Sequence, residues 1–296
     1  MNTFYESSAD FTAALKKVEK HSKMKLFQST IRLHLVKGIP TSHYYLYSQE
    51  GDDFEYWIGI NVWSKVCHIQ VGRSGKFSEK AFQSFFTFVF KEKRGIDELC
   101  DALYMNCNGD PLCVAAIEKF ANSIGIETPR HTRCWMYAFH RSINIPKYHL
   151  PEGFTVDSIQ EKDVGLVART WIFKSPTEEE RIRLRLKNLE TVCIRATNGD
   201  AAAFIMLESN GMIVHAFVLE EYRGKRLRDA LFFVLAQNAR DRFGIEPYFC
   251  TVKPNLLMDR WVKDEWKVLD EDGEHESMDF LPLTIDNEAI ERIQSF

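Results

Sequence analysis

Two spacings of apolar residues alternate along the second half of the chain. Residues 161–171 and 226–242 carry Val, Leu and Phe three and four positions apart, the spacing of a helix with one buried face. Residues 154–158, 191–196, 202–208, 212–219 and 247–252 are short apolar runs bounded by turn residues, as strands are. Asn198-Gly199 and Asn210-Gly211 join three of these runs by two-residue turns, which predicts hairpins. Asp157 and Ser158 are candidate N-caps for the first helix. A charged helix is predicted over Thr177 to Leu189, where Ser175-Pro176-Thr177 precedes three glutamates. A last helix over Asn255 to Asp264 and a final strand complete the pattern. The order is strand, two helices, three hairpin-linked strands, then helix and strand alternating. It predicts an α/β (α+β) fold with a mixed, mostly antiparallel sheet, and not a doubly wound Rossmann fold.

The chain also resembles itself. Val66 to Val71 and Val214 to Val218 are similar strand-like runs, each leading to a Gly-Lys pair, Gly75-Lys76 and Gly224-Lys225. Nineteen residues after each Lys comes a Gly-Ile, Gly95-Ile96 and Gly244-Ile245, so both pairs share an offset of 149 residues. Amphipathic Phe- and Leu-rich helices over Glu79 to Lys93 and Leu227 to Arg242 fill the intervals. One strand–turn–helix–strand unit present twice is the expectation. The boundary is expected at the Pro- and Gly-containing linker 146–153, between a domain over 1–145 and a domain over 154–296. The surfaces differ: residues 1–150 hold 19 basic and 15 acidic side chains, residues 151–296 hold 19 and 27.

Composition removes several classes. With 38 Lys+Arg against 42 Asp+Glu and 45% hydrophobic residues, the chain is neither disordered nor built to coat nucleic acid or an anionic membrane. No apolar run approaches the roughly 18 residues of a membrane span. Seven cysteines, an odd number without a CxxC pair or His at metal-ligand spacing, argue for a reducing compartment and against a metal site. Met1 to Asp10 has no apolar core and no Arg, so neither a secretory signal nor an Arg-rich transit peptide is expected. An intracellular, soluble protein of cytosol or organelle matrix is the expectation.

The chemistry-bearing segment is Val218-Leu219-Glu220-Glu221-Tyr222-Arg223-Gly224-Lys225-Arg226-Leu227-Arg228. A strand ends, a basic turn with one Gly follows, and a helix begins with its first N–H groups lacking intrahelical partners. Oriented amides, the positive end of the helix dipole and nearby Arg and Lys are what a pyrophosphate requires; a solvated basic helix start has the same sequence. Gly72-Arg73-Ser74-Gly75-Lys76 in the first half looks superficially similar, but lacks the spacing and following hydroxyl of a P-loop. Its half is expected to do structural or substrate-closing work, and Phe82, Phe85, Phe86, Phe88 and Phe90 to form a buried helix face or interface.

These residues resemble the GCN5-related N-acetyltransferase (GNAT) superfamily, whose acyl-CoA loop reads Arg/Gln-x-x-Gly-x-Gly/Ala at such a junction. More narrowly, Leu219-Glu220-Glu221-Tyr222-Arg223-Gly224 after Asn210-Gly211, with Phe154-Thr155-Val156, Gly244-Ile245-Glu246-Pro247-Tyr248 and Asn255, is similar to the glycine N-acyltransferase family. The resemblance spans about 154–269 and implies tandem GNAT-like domains, the N-terminal copy degenerate. It further implies that acyl-CoA or acetyl-CoA is the cosubstrate, that glycine or a similar small amine is the acceptor, and that the protein is mitochondrial. Phe217, Val218 and Leu219 would then meet the pantetheine and thioester, Arg223, Gly224, Lys225, Arg226, Leu227 and Arg228 the pyrophosphate, and Asn255 would shape the CoA pocket. Counted from Arg223, both positions usually held by small residues are arginines, Arg226 and Arg228.

Amide formation needs a neutral amine, N–H groups to polarise the thioester carbonyl, and a base. The family's acidic base falls at Met212, which takes no proton. His215, with an ordinary pKa of about 6.5, and Glu208 are the candidates. Strand alternation puts His215 on the face opposite Met212 unless a bulge re-aims it. Tyr248 and Cys250 are further groups within one strand of the thiolate. Two alternatives stand beside the glycine-type enzyme: a degenerate protein with weak or no catalysis that acts through protein contacts, and an N-acetyltransferase for another amine.

Overall fold

The computed structural model describes residues 1–295 except 38, 40, 41, 64, 93, 101, 103, 129, 130, 174, 175, 253, 254 and 271, and except the side chains of 97, 100 and 104. Lys93 at the predicted end of the Phe-rich helix, Ser175 at the predicted start of the charged helix, and the Cys100 side chain lie outside the described residues.

The chain begins β1 (Asn2–Tyr5), α1 (Ser8–Val18), α2 (Lys25–Leu35), β2 (His43–Glu50), β3 (Phe54–Trp63), β4 (Val66–Gly75), α3 (Glu79–Lys91), a short α4 (Ile96–Cys100), β5 (Tyr104–Gly109), α5 (Pro111–Ser123) and β6 (Thr132–Ala138). It continues β7 (Phe154–Asp157), α6 (Val164–Thr170), α7 (Glu178–Asn188), β8 (Thr191–Ala196), β9 (Ala201–Leu207), β10 (Ile213–Val218), α8 (Leu227–Phe243), β11 (Tyr248–Val252), a one-turn α9 (Leu256–Asp259), β12 (Ser277–Leu283) and α10 (Asn287–Ser295). Apart from the short α4 of the first half and α10 after the second, both halves run strand, two helices, three strands, helix, strand, helix, strand. The glycines paired by the 149-residue offset have the same backbone: φ is +72° at Gly75 and +79° at Gly224, +75° at Gly95 and +64° at Gly244. That region favours glycine, so the repeated Gly marks a repeated turn.

Two compact units form, and they do not follow the chain as two halves. The first comprises residues 1–31, 41–136 and 250–296, the second 32–40 and 137–249. The first unit carries a sheet in the order β1-β2-β3-β4-β5-β12-β6, with β11, whose last three residues belong to this unit, outermost. β4 and β5 are parallel and paired over six positions, from Val66 opposite Tyr104 to Val71 opposite Gly109. The close pairing uses Gly109, at φ +144°, where a Cβ would stand 1.8 Å from the Val71 carbonyl oxygen. The Gly72–Gly75 stretch is strand and pairs with β3 up to Phe54 opposite Gly75, so it makes no phosphate loop. Phe82, Phe85, Phe86 and Phe90 of α3 are buried in the core, with Phe88 packed against it.

The second unit is built on an antiparallel sheet ordered β10-β9-β8-β7. The two predicted turns hold Gly199 at φ +80° and Gly211 at φ +83°. Two expectations fail here or nearby. Asp157 does not cap a helix, because its carboxylate accepts from Arg195 Nε (2.5 Å) and from the Ser158 N–H (2.8 Å). The entry to α6 is closed instead by a capping box between Gln160 and Asp163. The helix predicted over 255–264 is the single turn α9.

A cleft of about 170 Å³ in the first unit lies where β4 and β5 end, lined by Lys23, Arg73, Asp110, Asp270, His275 and Glu276 among others. Burial, then the Asp110 charge, push the Glu276 carboxyl up from 4.5 to about 7. A carboxyl that holds its proton more tightly when folded makes stability fall as pH rises from about 4.5 through about 7. Glu276→Gln is expected to flatten that decline, read as a smaller difference in urea midpoint between pH 5 and pH 8 than the wild type shows.

Candidate active site

β10 is the outer strand of the second unit's sheet. Beyond it stands β11, and the two share one parallel bridge, Met212 opposite Tyr248. The corresponding strands of the first half, β4 and β5, pair over six positions. After the bridge, β10 bulges: Val214 lies opposite Met206 and Phe217 opposite Phe204, so His215 and Ala216 together face the single residue Ile205. His215 sits in the left-handed region, at φ +55°. Past the bulge the strand opens: Ala216 is exposed, and Phe217, Val218 and Leu219 are half-exposed.

The bulge decides the fate of the candidate base. His215 is 5% exposed and turned into the layer between the sheet and α6. Its ring lies 4.6 Å from that of Trp171 and edge-on to Phe204 at 5.4 Å. Nε2 is 3.1 Å from Thr170 Oγ1. Nδ1 has no hydrogen-bond partner among the described residues. Burial, and then the Arg185 charge, lower its pKa to about 3, so the ring is neutral at physiological pH.

Glu208 is placed differently. It is 3% exposed, its Oε2 accepts from Arg185 Nη2 (2.5 Å) and Arg181 Nη2 (3.4 Å), and its Oε1 accepts the Ser209 N–H (2.8 Å). Glu178 bonds the same two arginines, at 3.1 and 3.2 Å. All four side chains are buried and sum to no net charge. The carboxylate anchors the hairpin to α7. The network was readable only as spacing, with Glu178, Arg181 and Arg185 at i, i+3 and i+7 on one helix face.

At the far end of β10 the chain turns through residues 220–226 into α8. Gly224 and Arg226 both have positive φ, +79° and +58°, with Lys225 between them. Arg226 immediately precedes the 17-residue α8 and its side chain makes no cap; its carbonyl accepts the Asp229 N–H at 3.2 Å, and the N–H groups before Asp229 open the helix without an intrahelical partner. Arg223, Gly224, Lys225 and Arg226 are exposed, Arg228 is half-buried, and Leu227 is buried. Arg223 Nε donates to the Val218 carbonyl at 3.3 Å, which ties the basic turn to the strand end. Lys225 Nζ lies 5.2 Å from the Phe154 ring centre.

Asn255 caps α9, accepting from the Met258 N–H at 3.2 Å, and belongs to the first unit rather than the second. Tyr248 is fully buried, and burial raises the Cys250 thiol well above its usual range, which makes it a poor proton donor. Among the described residues no group of three His, Cys, Asp or Glu side chains is placed to hold a metal. No helix is long and apolar enough to cross a membrane.

No protein-family model matches the sequence, and no curated protein matches it. Solved structures do. A Drosophila protein aligns with a TM-score of 0.64 at 12% identity, over 94% of this chain and 97% of its own. A candidate acetyltransferase from Pyrococcus horikoshii aligns at 0.51 and 12% identity, over 98% and 92%. A tandem GNAT protein from the clavulanic acid biosynthesis pathway aligns at 0.45 and 12% identity, over 95% and 98%. The likeness at TM-scores of 0.64 and 0.51 is one of fold: a mixed α/β chain in which one order of elements recurs.

Glu208→Ala is expected to lower the stability to urea by about 3–5 kcal/mol, because two buried guanidinium groups lose their shared acceptor. Ligand binding at the basic turn is expected to persist at temperatures where this variant is folded.

Proposed function

We propose that the protein is an acyl-CoA-dependent N-acyltransferase that moves an acyl group to the amine of glycine or a similar small amine. The observation that carries this reading is the parted strand pair: β10 leaves β11 after one bridge and ends in a basic turn at a helix N-terminus. A parted edge turns the backbone groups of β10 that do not face β9 toward a ligand that is itself an extended chain of amides, as pantetheine is; in this stretch the Leu219 N–H is bonded to the Ala202 carbonyl and the Val218 carbonyl to Arg223. The turn at Arg223 to Arg228 supplies guanidinium, ammonium and first-turn amides for a pyrophosphate. Arginine at 226 and 228, where the family carries small residues, exchanges close backbone approach for side-chain charge.

When bound, acyl-CoA supplies the activated carbonyl. The chain's residues hold it, exclude water with Trp171, Phe204 and Phe217, and present His215 beside the strand edge. A mitochondrial location belongs to the same reading through the glycine N-acyltransferase resemblance. The degenerate, non-catalytic alternative is favoured by Met212, which stands where that family has its acid.

Thermal unfolding in the presence of CoA, acetyl-CoA and a bulky acyl-CoA separates the two. A ligand that binds only the folded state at 100 times its Kd adds about 2.7 kcal/mol, a readily measured rise in Tm. The rise is expected in the wild type and is expected to be lost in Arg223→Ala and Arg226→Ala. No rise at saturating ligand would leave the degenerate reading.

A further inference from the structure

Thr170, at the end of α6, has one hydroxyl proton and three polar neighbours. Its Oγ1 lies 2.9 Å from the Val167 carbonyl oxygen, 3.2 Å from that of Leu166 and 3.1 Å from His215 Nε2. The two carbonyls only accept, so with the hydroxyl proton bonded back to them, as threonine commonly does late in a helix, the contact with His215 is filled by a proton on Nε2. A neutral imidazole carries one N–H, so Nδ1 is left as a bare lone pair. That atom is buried without a partner, inside a ring that is 95% buried. A buried acceptor without a donor is costly, and such a group calls for a ligand that supplies the donor.

We propose that Thr170 is a positioning residue that holds His215 in the Nε2–H form, and that His215 Nδ1 is the acceptor for an N–H of the amine substrate. This rests on the acyl-transfer reading above. The lone pair belongs to a residue at the bulge, where β10 parts from β11, and its ring neighbours are Trp171 and Phe204. Both nearby carboxylates, Glu178 and Glu208, are bound to Arg181 and Arg185. The site therefore favours an uncharged amine over an ammonium ion.

In the transfer, the amine nitrogen forms a bond to the thioester carbonyl carbon and the C–S bond breaks, its electrons going to sulfur. The N–H is oriented by its hydrogen bond to the neutral Nδ1, and the proton released from nitrogen is taken by the departing sulfur, so that amide and free CoA thiol leave the site while the imidazole stays neutral beside Arg185. Atoms and charge balance without a further reactant.

The test reads the imidazole directly. In the full-length protein with 15N-labelled histidine, the His215 resonances are expected to show a protonated Nε2 and a bare Nδ1. Glycine or propylamine, titrated at pH 9 with CoA present, is expected to shift the Nδ1 signal saturably. Thr170→Val should mix the tautomers and lower kcat about 10-fold or more while leaving KM for acyl-CoA unchanged, and Thr170→Ser should restore both. A proton on Nδ1 in the wild type, or an Nδ1 signal that neither amine moves, overturns the proposal, as does an unchanged rate in Thr170→Val. If acyl-CoA produces no thermal shift and no turnover, the acyl-transfer reading fails; Nδ1 then still decides between an amine acceptor and an inert core histidine.

Discussion

Backbone groups on a strand edge must be paired by a neighbouring strand, by water or by a ligand. In the first half of this chain, β4 meets that demand by zipping to β5 over six positions, helped by the absence of a side chain at Gly109. In the second half the equivalent pairing stops after Met212 and Tyr248, and β10 continues as an edge. The same order of elements thus yields one closed seam and one open one.

An open edge is a liability unless something holds the strand in place. Here the support comes from beneath. The buried quartet of Glu178, Arg181, Arg185 and Glu208 ties α7 to the hairpin that begins β10. Bringing four charges out of water is costly, and such a cluster is better suited to fixing one geometry than to adding net stability. The bulge it supports places a neutral imidazole in an aromatic surrounding, with Arg185 close enough to oppose protonation.

Much of this arrangement could be read from residue spacing. The strands 191–196, 201–207 and 213–218, the two Asn-Gly turns and the 149-residue repeat were all visible, because period and turn chemistry are local properties. The basic turn was visible for the same reason. What escaped depended on contacts distant in sequence. Glu208 reads as a surface acid until α7 brings two arginines to it, and Asp157 reads as a cap until Arg195 reaches it across the sheet. The bulge at His215 was conceivable but not derivable, since a left-handed residue in a strand is chosen by its surroundings. Thr170 carried no signal at all, because its importance lies in having one proton too few for its neighbours.

β12 lies between β5 and β6, paired with the former from Asp279 to Leu283 and with the latter from Ser277 to Phe280. A strand near the end of the chain therefore completes a sheet begun by its first residues. On the ribosome, the first unit must wait with β5 unpaired on one side until β12, about 170 residues later, has emerged. Such long loop closure slows folding and leaves a sticky edge exposed meanwhile. Cutting the chain at the 146–153 linker would not release an independent first unit but would make that exposed state permanent, so the two copies are bound to a single folding event.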